Sequence, residues 1–128
     1  MGTGRDDVLR GTPGDDVICG LGGHGGDDSL WGGAGDDTLW GNSLDDVLWG
    51  GPGLDRLTGG DGDDWLLGGA GDDTLVGDAG GNFLPGVDRL WGGSGNDSLD
   101  GGAGGDYLDG GDDTDACTLS GVTARCEA

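Results

Sequence analysis

The sequence predicts an all-β solenoid in which two parallel sheets face each other and one coil takes about 18 residues. A glycine-rich unit of nine residues repeats along almost the whole chain of 128 residues. Each unit has an aspartate at its sixth position and an apolar residue at its eighth, with few exceptions. With 36 glycines and a net charge of −21, the chain cannot build a conventional core, so its apolar residues are buried only if the units stack.

The units can be placed along the chain from two clear copies, GGAGDDTLW at 32–40 and GGAGDDTLV at 68–76. Twelve full-length units begin at Gly2, Gly11, Gly23, Gly32, Gly41, Gly50, Gly59, Gly68, Gly77, Gly92, Gly101 and Gly110. A short unit at 86–91 lacks the first three positions, and three extra residues at 20–22 precede the third unit. We expect both irregularities to alter turns and to keep every strand.

Position eight marks a short strand in each unit, because its neighbours favour β-structure whereas the first six positions hold turn-forming residues. Side chains alternate across a strand, so position eight faces inward and positions seven and nine face outward. With two units per coil, odd-numbered strands form one sheet and even-numbered strands the other. The predicted inward ladder is Leu9, Ile18, Leu30, Leu39, Leu48, Leu57, Leu66, Leu75, Leu84, Leu90, Leu99, Leu108 and Cys117.

The acidic composition points to a cation as the partner. The chain has 25 aspartates, one glutamate, five arginines and no lysine. Nucleic acid and anionic membranes would repel a chain with this negative net charge. Calcium is the natural candidate, because it takes about six to eight oxygens from carboxylates and carbonyls in flexible geometry. Glycines at positions one, two and four let the turn adopt positive φ and direct its carbonyls inward. One turn holds too few ligands, so we expect ions between neighbouring turns on the same edge.

The unit resembles the RTX nonapeptide, the hemolysin-type calcium-binding repeat GGxGxDxUx, in which U is a large apolar residue. The resemblance covers about residues 2–118 and implies a right-handed parallel β-roll over 1–118 with several calcium ions in the turns. The side-chain ligands it implies are Asp7, Asp16, Asp28, Asp37, Asp46, Asp55, Asp64, Asp73, Asn82, Asp88, Asp97, Asp106 and Asp115. The carbonyl ligands it implies belong to Gly23, Gly32, Gly35, Gly50, Gly53, Gly59, Gly62, Gly68 and Gly71.

Some units depart from this pattern. At position four, three units have Arg5, Leu44 and Asp113. The short unit is expected to disturb the register near Asn82 and Asp88, so we expect the best sites between Asp28 and Asp73. Thirteen turns divided between two edges give about eleven pairs of neighbouring turns. One divalent ion in each pair would bring about +22 against the net charge of −21. An EF-hand is excluded, because its loop ends in a glutamate and Glu127 lies beyond the repeats.

Aromatic residues form a second pattern. Four of them are expected to extend one outer sheet face, Trp31 and Trp49 at position nine and Trp65 and Phe83 at position seven. Trp40 and Trp91 are expected on the other sheet. Exposed aromatic strips often bind a ligand, so a glycan, a protein or a second roll is a candidate partner. The alternative is cross-strand stacking that only stabilises the roll.

The end of the chain departs from the repeat. Residues 119–128 are expected to cap the roll, with a disulfide between Cys117 and Cys126, which would fit an oxidising compartment. Cys19 is left over, either free or paired between molecules. His24 has no partner that suggests a nucleophile or a zinc site, and we expect no catalysis in this segment.

Three functions remain open from the sequence. The leading hypothesis is a calcium-binding module that folds in extracellular calcium and serves secretion, stabilisation or surface attachment of a secreted protein. The second is an adhesin or self-association module that uses the aromatic strip. The third is the noncatalytic C-terminal part of a secreted hydrolase. No apolar run is long enough to span a membrane, and we expect any export signal to lie outside the repeats.

Overall fold

The computed structural model describes residues 1–21, 26–78 and 85–118, together with the backbone of one further short strand. Across these residues the chain forms strands and turns, with no helix. The strands are β1 (Val8–Arg10), β2 (Val17–Cys19), β3 (Ser29–Trp31), β4 (Thr38–Ser43), β5 (Val47–Pro52), β6 (Arg56–Asp61), β7 (Trp65–Ala70), β8 (Thr74–Val76), β9 (Arg89–Ser94), β10 (Ser98–Asp100), β11 (Tyr107–Asp112), β12 (Ala116–Thr118) and β13 (Ala124–Arg125).

Odd-numbered strands form one sheet, here the first sheet, and even-numbered strands form the second sheet. Each described pair is parallel and joins strands from successive coils. Leu30 lies beside Leu48, and Leu48 lies beside Leu66, so the regular coil takes 18 residues. The predicted all-β architecture of two parallel sheets is confirmed.

Position-eight side chains form the core between the two sheets. Those from Leu30 to Leu108 that the structure describes are at most 1% exposed, whereas Ile18 near one end is 6% exposed. Leu9 and Cys117 are half-buried and pack against this cluster. The ladder is continuous because the two-residue alternation of a strand brings the same position inward in every coil.

The turns depend on glycine at two positions for their backbone conformation. In the unit beginning at Gly50, Gly51 and Gly53 at positions two and four have φ of 120° and 153°. Leu44 and Asp113 occupy position four in their own units with φ of 76° and 80°, values that a side chain disfavours. The predicted positive φ is therefore confirmed at positions two and four of turns such as 50–55, but it is wrong for Gly14, at position four of the second unit.

Position-one glycines meet a different requirement from the predicted one. The φ of Gly32 lies outside the left-handed region, so its backbone conformation alone does not demand glycine. An added Cβ at Gly32 would overlap Oδ2 of Asp37 in the same turn and would come within 2.7 Å of the carbonyl oxygen of Gly50. Position one is glycine because the carboxylate of its own turn fills the space where a side chain would stand.

The first irregular region differs from the prediction. Gly20 takes position one of the third unit, since an added Cβ there would overlap Oδ2 of Asp28 in the way that an added Cβ at Gly32 overlaps Asp37. The three additional residues therefore lie within the unit that begins at Gly20 and ends its turn at Asp28, and they do not precede the unit. Gly23, a predicted carbonyl ligand, lies outside the described residues.

The second irregular region overturns a larger part of the prediction. β7 pairs directly with β9, so Leu90 lies beside Leu66, and Gly77 lies against Asp88 in one lengthened turn. This coil takes 24 residues. The predicted ninth unit and the short unit are therefore a single unit, and the described ladder passes from Leu66 directly to Leu90. Leu84, a predicted member of the ladder, lies outside the described residues. The expectation that every strand is kept is wrong here, and later strands lie in the opposite sheet from the predicted one.

The end of the chain returns to the first sheet. β13 pairs with β11, so the segment predicted as a cap contributes a strand, and its capping role stays a prediction. Cys126 lies outside the described residues, so its pairing with Cys117 also stays a prediction. Cys19 is free and half-buried on β2, the edge strand of the second sheet.

Candidate functional site

The position-six aspartates form two rows, one along each edge where turns stack. Neighbours in a row are 18 residues apart, or 21 and 24 across the two lengthened turns. The first row, in turns that lead into the first sheet, is Asp7, Asp28, Asp46, Asp64, Asp88 and Asp106. The second row is Asp16, Asp37, Asp55, Asp73, Asp97 and Asp115. Asn82 lies outside the described residues, and Asp88 holds the position in the row that follows Asp64.

Each carboxylate in a row holds the preceding turn by one oxygen. Asp64 Oδ1 accepts the backbone N–H of Asp46 at 2.8 Å, and Asp88 Oδ1 accepts that of Asp64 at the same distance. The other oxygen is different. In the described part of the chain, a buried Oδ2 has no hydrogen-bond partner at Asp37, Asp46, Asp55, Asp64, Asp73, Asp88, Asp97 and Asp115. A buried carboxylate oxygen without a partner is strongly destabilising, so this arrangement calls for a cation.

The protonation equilibria reflect this burial. Burial raises the pKa of the carboxyl group to about 7 at Asp46, Asp64, Asp73 and Asp88. The hydrogen bond from the preceding backbone N–H lowers these pKa values in part, and neighbouring carboxylates of the row raise them further. Burial also raises the pKa of Asp28, Asp37, Asp55, Asp97 and Asp106.

Backbone carbonyls line the gaps between neighbouring turns from both sides. Between turns 32–37 and 50–55, the carbonyl oxygens of Gly33 and Gly35 lie against the following turn, and that of Gly50 lies against the preceding turn. The carboxylates of Asp37 and Asp55 belong to the same two turns. The carboxylate and carbonyl oxygens that border this gap are the ligand type that calcium prefers.

Seven of the nine predicted carbonyls recur in this arrangement, and one further position was left out of the predicted ligands. The role of the Gly68 carbonyl stays a prediction, and Gly23 lies outside the described residues. The carbonyl oxygens that lie against a neighbouring turn include those of Gly32, Gly35, Gly50, Gly53, Gly59, Gly62 and Gly71. Position-two carbonyls, which were expected to point inward but were not among the predicted ligands, do the same at Gly33, Gly51, Gly69 and Gly93. The glycine at position two was the signal that could have identified them. Because no three acidic, histidine or cysteine side chains of the described residues converge on one point, an ion here would need these carbonyls.

Position-five carboxylates form an outer ladder that runs in the opposite direction. Asp36 Oδ1 accepts the backbone N–H of Leu54 in the following turn at 2.9 Å, and Asp45 Oδ1 accepts that of Asp63 at 3.0 Å. The position-six carboxylate holds the preceding turn, so in the turns of Asp36 and Asp45 the two positions together tie the turn to both neighbours. Position-five side chains are exposed, and their observed role is in hydrogen bonding between turns.

The first turn of each row is satisfied within the chain. The Thr3 hydroxyl donates to Asp7 Oδ2 at 2.8 Å, and the Thr12 hydroxyl donates to Asp16 Oδ2 at 3.0 Å. The backbone N–H of each threonine donates to the same oxygen. At the first two turns, a position-two threonine therefore supplies the hydrogen bonds that the later Oδ2 atoms lack.

The aromatic residues lie mainly on the outer face of the first sheet. Trp31, Trp49 and Trp65 are there as predicted, on β3, β5 and β7. Trp40 is on the second sheet as predicted, and Phe83 lies outside the described residues. Trp91 is on the first sheet, so its predicted placement is wrong, because the merged unit moves β9 to that sheet.

Ring contacts join three aromatic residues on β7, β9 and β11. The ring centroids of Trp65 and Trp91 are 5.7 Å apart, and those of Trp91 and Tyr107 are 5.9 Å apart. Tyr107 was not singled out in the sequence analysis. The first-sheet face is therefore aromatic from β3 to β11.

Comparison with known families agrees with this geometry. The family model of the RTX calcium-binding nonapeptide repeat matches the chain in four copies, at residues 1–24, 23–48, 49–84 and 85–116. That family is a noncatalytic repeat module whose members bind calcium. A comparison with curated proteins found no match to the chain. The described residues include no helix long and apolar enough to cross a membrane.

Proposed function

Because the chain belongs to the family of RTX calcium-binding nonapeptide repeats, we propose that this segment folds by binding calcium in the gaps between stacked turns. The observation that carries the proposal is the set of buried Oδ2 atoms without a hydrogen-bond partner among the described residues. A divalent ion placed between a carboxylate of one turn and the carbonyls of both turns would satisfy these oxygens. The proposed ligands are the position-six side chains with the carbonyls of positions one, two and four.

The number of gaps limits the number of ions. Six aspartates per row border five gaps per row, or ten in all, one fewer than the sequence predicts. Ten divalent ions would bring +20 against the net charge of −21. The gaps that involve Asp7 and Asp16 have the weakest need for an ion, because their Oδ2 atoms already accept hydrogen bonds.

The biological setting follows from conditional folding. Where calcium is scarce, the repulsion among carboxylates keeps the chain unfolded, a state compatible with export. Extracellular modules bind calcium at about 10⁻⁴ to 10⁻³ M, so the roll would fold after secretion. In this setting the segment serves secretion, stabilisation or surface attachment of a secreted protein. A secreted hydrolase that has the roll as its noncatalytic C-terminal part fits the same proposal.

The test compares adjacent carboxylates in one turn. Far-ultraviolet circular dichroism should show mostly coil in a chelator at pH 8 and β-structure after calcium is added. Asp37→Asn removes the charge from a buried Oδ2 without a partner, so calcium-driven folding should weaken. Asp36→Asn is the matched control, because it keeps the Oδ1 acceptor for the Leu54 N–H. A fully folded protein in chelator at pH 8, or equal calcium midpoints for the two variants, would contradict the proposal.

A further inference from the structure

The outer face of the first sheet already binds cationic side chains of its own chain. The guanidinium carbon of Arg10 lies 4.9 Å from the ring centroid of Trp31, and that of Arg89 lies 5.4 Å from the ring centroid of Trp65. Both distances are within the range of cation–π attraction. Two of the five arginines of the chain are used in this way.

Trp49 lies between these two pairs and is different. It sits beside Trp31 on one side and Leu67 on the other, and 49% of its surface is exposed. Among the described residues, no arginine lies over its ring. Trp49 therefore presents an indole surface of the kind that its neighbours use to hold a guanidinium group.

A narrow depression adjoins this ring. Its volume is about 150 Å³, and it is lined by Trp31, Gly33, Trp49, Gly50, Gly51 and Pro52. The floor is open because glycines at positions one and two have no side chains, for the steric and conformational reasons given above. The depression, here called the Trp49 slot, has the chemistry to hold a flat group against an aromatic wall.

The surrounding charge selects the kind of occupant. Exposed carboxylates of Asp45 and Asp63 lie along one edge of the sheet, and the exposed carboxylate of Asp36 lies on the other edge. These position-five groups are not among the proposed calcium ligands. At these edges, exposed acidic side chains favour a cationic occupant over an anionic one.

We infer that the Trp49 slot binds an arginine side chain from a basic segment of a partner protein. The planar guanidinium group would stack on the indole of Trp49 as those of Arg10 and Arg89 stack on their rings, while its methylene groups contact the glycine floor. The position-five carboxylates provide the complementary charge. This inference rests on the proposed calcium-dependent fold, because the slot exists only when β3 and β5 are paired.

The experiment titrates calcium-loaded protein with a blocked glycine–serine peptide that contains two arginines, and follows binding by calorimetry. A second peptide has citrulline in place of arginine, which removes the charge and keeps the shape. We expect the arginine peptide to bind and the citrulline peptide to bind at least tenfold more weakly. Added salt should weaken binding of the arginine peptide, because charge attraction is screened.

Two matched variants locate the site. Trp49→Leu should weaken binding by roughly 2-fold to 30-fold, the equivalent of a cation–π interaction. Leucine is tolerated at this register, because Leu67 occupies the neighbouring position on β7. Trp40→Leu is the control, since Trp40 has the same repeat position on the second sheet and is 39% exposed. Circular dichroism in calcium separates loss of binding from loss of the fold.

Several outcomes would overturn the inference. Equal binding of the citrulline peptide would exclude cation recognition, and equal losses in Trp40→Leu and Trp49→Leu would exclude this slot. Binding of the neutral oligosaccharide maltohexaose without binding of the arginine peptide would assign the face to glycans. Sedimentation that shows dimers of the wild type and monomers of Trp49→Leu would assign the slot to a second copy of this chain. If the protein fails to fold in calcium, the proposed function itself fails, and circular dichroism reports that separately.

Discussion

The substitution Asp64→Asn should change the calcium-free and the calcium-bound protein in opposite directions. Asp64 is fully buried, its Oδ1 accepts the Asp46 N–H at 2.8 Å, and its Oδ2 has no partner among the described residues. Asparagine keeps an oxygen for the Asp46 bond and removes the charge from the other atom. The variant should therefore relieve repulsion and desolvation in the absence of calcium, and remove a ligand in its presence.

The magnitude follows from the pKa of Asp64, which burial raises from 3.8 to about 7. A raised pKa in the folded state favours folding below pH 3.8, and this contribution is lost as pH rises through about 7. At pH 8 the ionised carboxylate costs the folded state on the order of 4 kcal/mol. In chelator, Asp64→Asn should thus stabilise the fold at pH 8 by up to about 4 kcal/mol, and the difference should nearly vanish at pH 4.

The assay follows β-structure by circular dichroism in chelator between pH 8 and pH 4, and then in a calcium titration at pH 8. The calcium midpoint of Asp64→Asn should rise by roughly tenfold, because the two gaps that Asp64 borders each lose an anionic ligand. The control is Asp63→Asn, an exposed change that keeps the Oδ1 acceptor for Val87 and should alter stability by about 0.5 kcal/mol or less. The reasoning is refuted if Asp64→Asn destabilises the calcium-free protein at pH 8, or if both variants have the same calcium midpoint.

Three further predictions concern the turns. Thr12→Val removes the hydroxyl that donates to Asp16 Oδ2 at 3.0 Å, so the free energy of unfolding in calcium should fall by about 1 kcal/mol, measured by urea denaturation. Gly50→Ala should abolish or strongly weaken calcium-driven folding because its Cβ would overlap a carboxylate, whereas Gly105→Ala, with open space at its Cβ, should fold normally in the same circular dichroism titration. Leu44→Gly should raise the unfolding free energy by about 1 kcal/mol, because φ at this position is 76°; no increase in thermal stability would contradict this account of strain.

The sequence was sufficient to predict the regular part of the roll. Wherever units follow one another without insertion, as from Gly32 to Gly68, the nine-residue period determines which side chain faces inward and which carboxylates share a row. The period acts through two simple constraints, the alternation of side chains across a strand and the stacking of identical turns. For this reason the ladder of leucines and the two rows of aspartates could be derived without coordinates.

The lengthened turn at 77–88 could not be derived in the same way. The segment contains Asn82 and Leu84 at the spacing of a repeat unit, so local sequence imitates a strand that the register of β7 and β9 omits. One signal against that strand was available, since Pro85 follows Leu84 directly and has no N–H to donate to a parallel neighbour. The local sequence pattern predicts a separate unit of nine residues, whereas the pairing of β7 with β9 determines the length of the coil.

The unsatisfied Oδ2 atoms also required coordinates, and they are the physical basis for the proposed dependence of the fold on an ion. Asp64 and Leu66 are two residues apart and face the same interior, so each coil buries a carboxylate whenever it buries a leucine. Burial of the leucine contributes roughly 1.5 to 3 kcal/mol, whereas burial of the ionised carboxylate costs on the order of 4 kcal/mol at pH 8. Adding coils to the roll therefore gives no net gain from these two groups until a cation or a proton neutralises the carboxylate. Under the proposed function, calcium would reverse the sign of the aspartate contribution and leave that of the leucine unchanged, so that the ion, and not the length of the repeat, would determine folding at neutral pH.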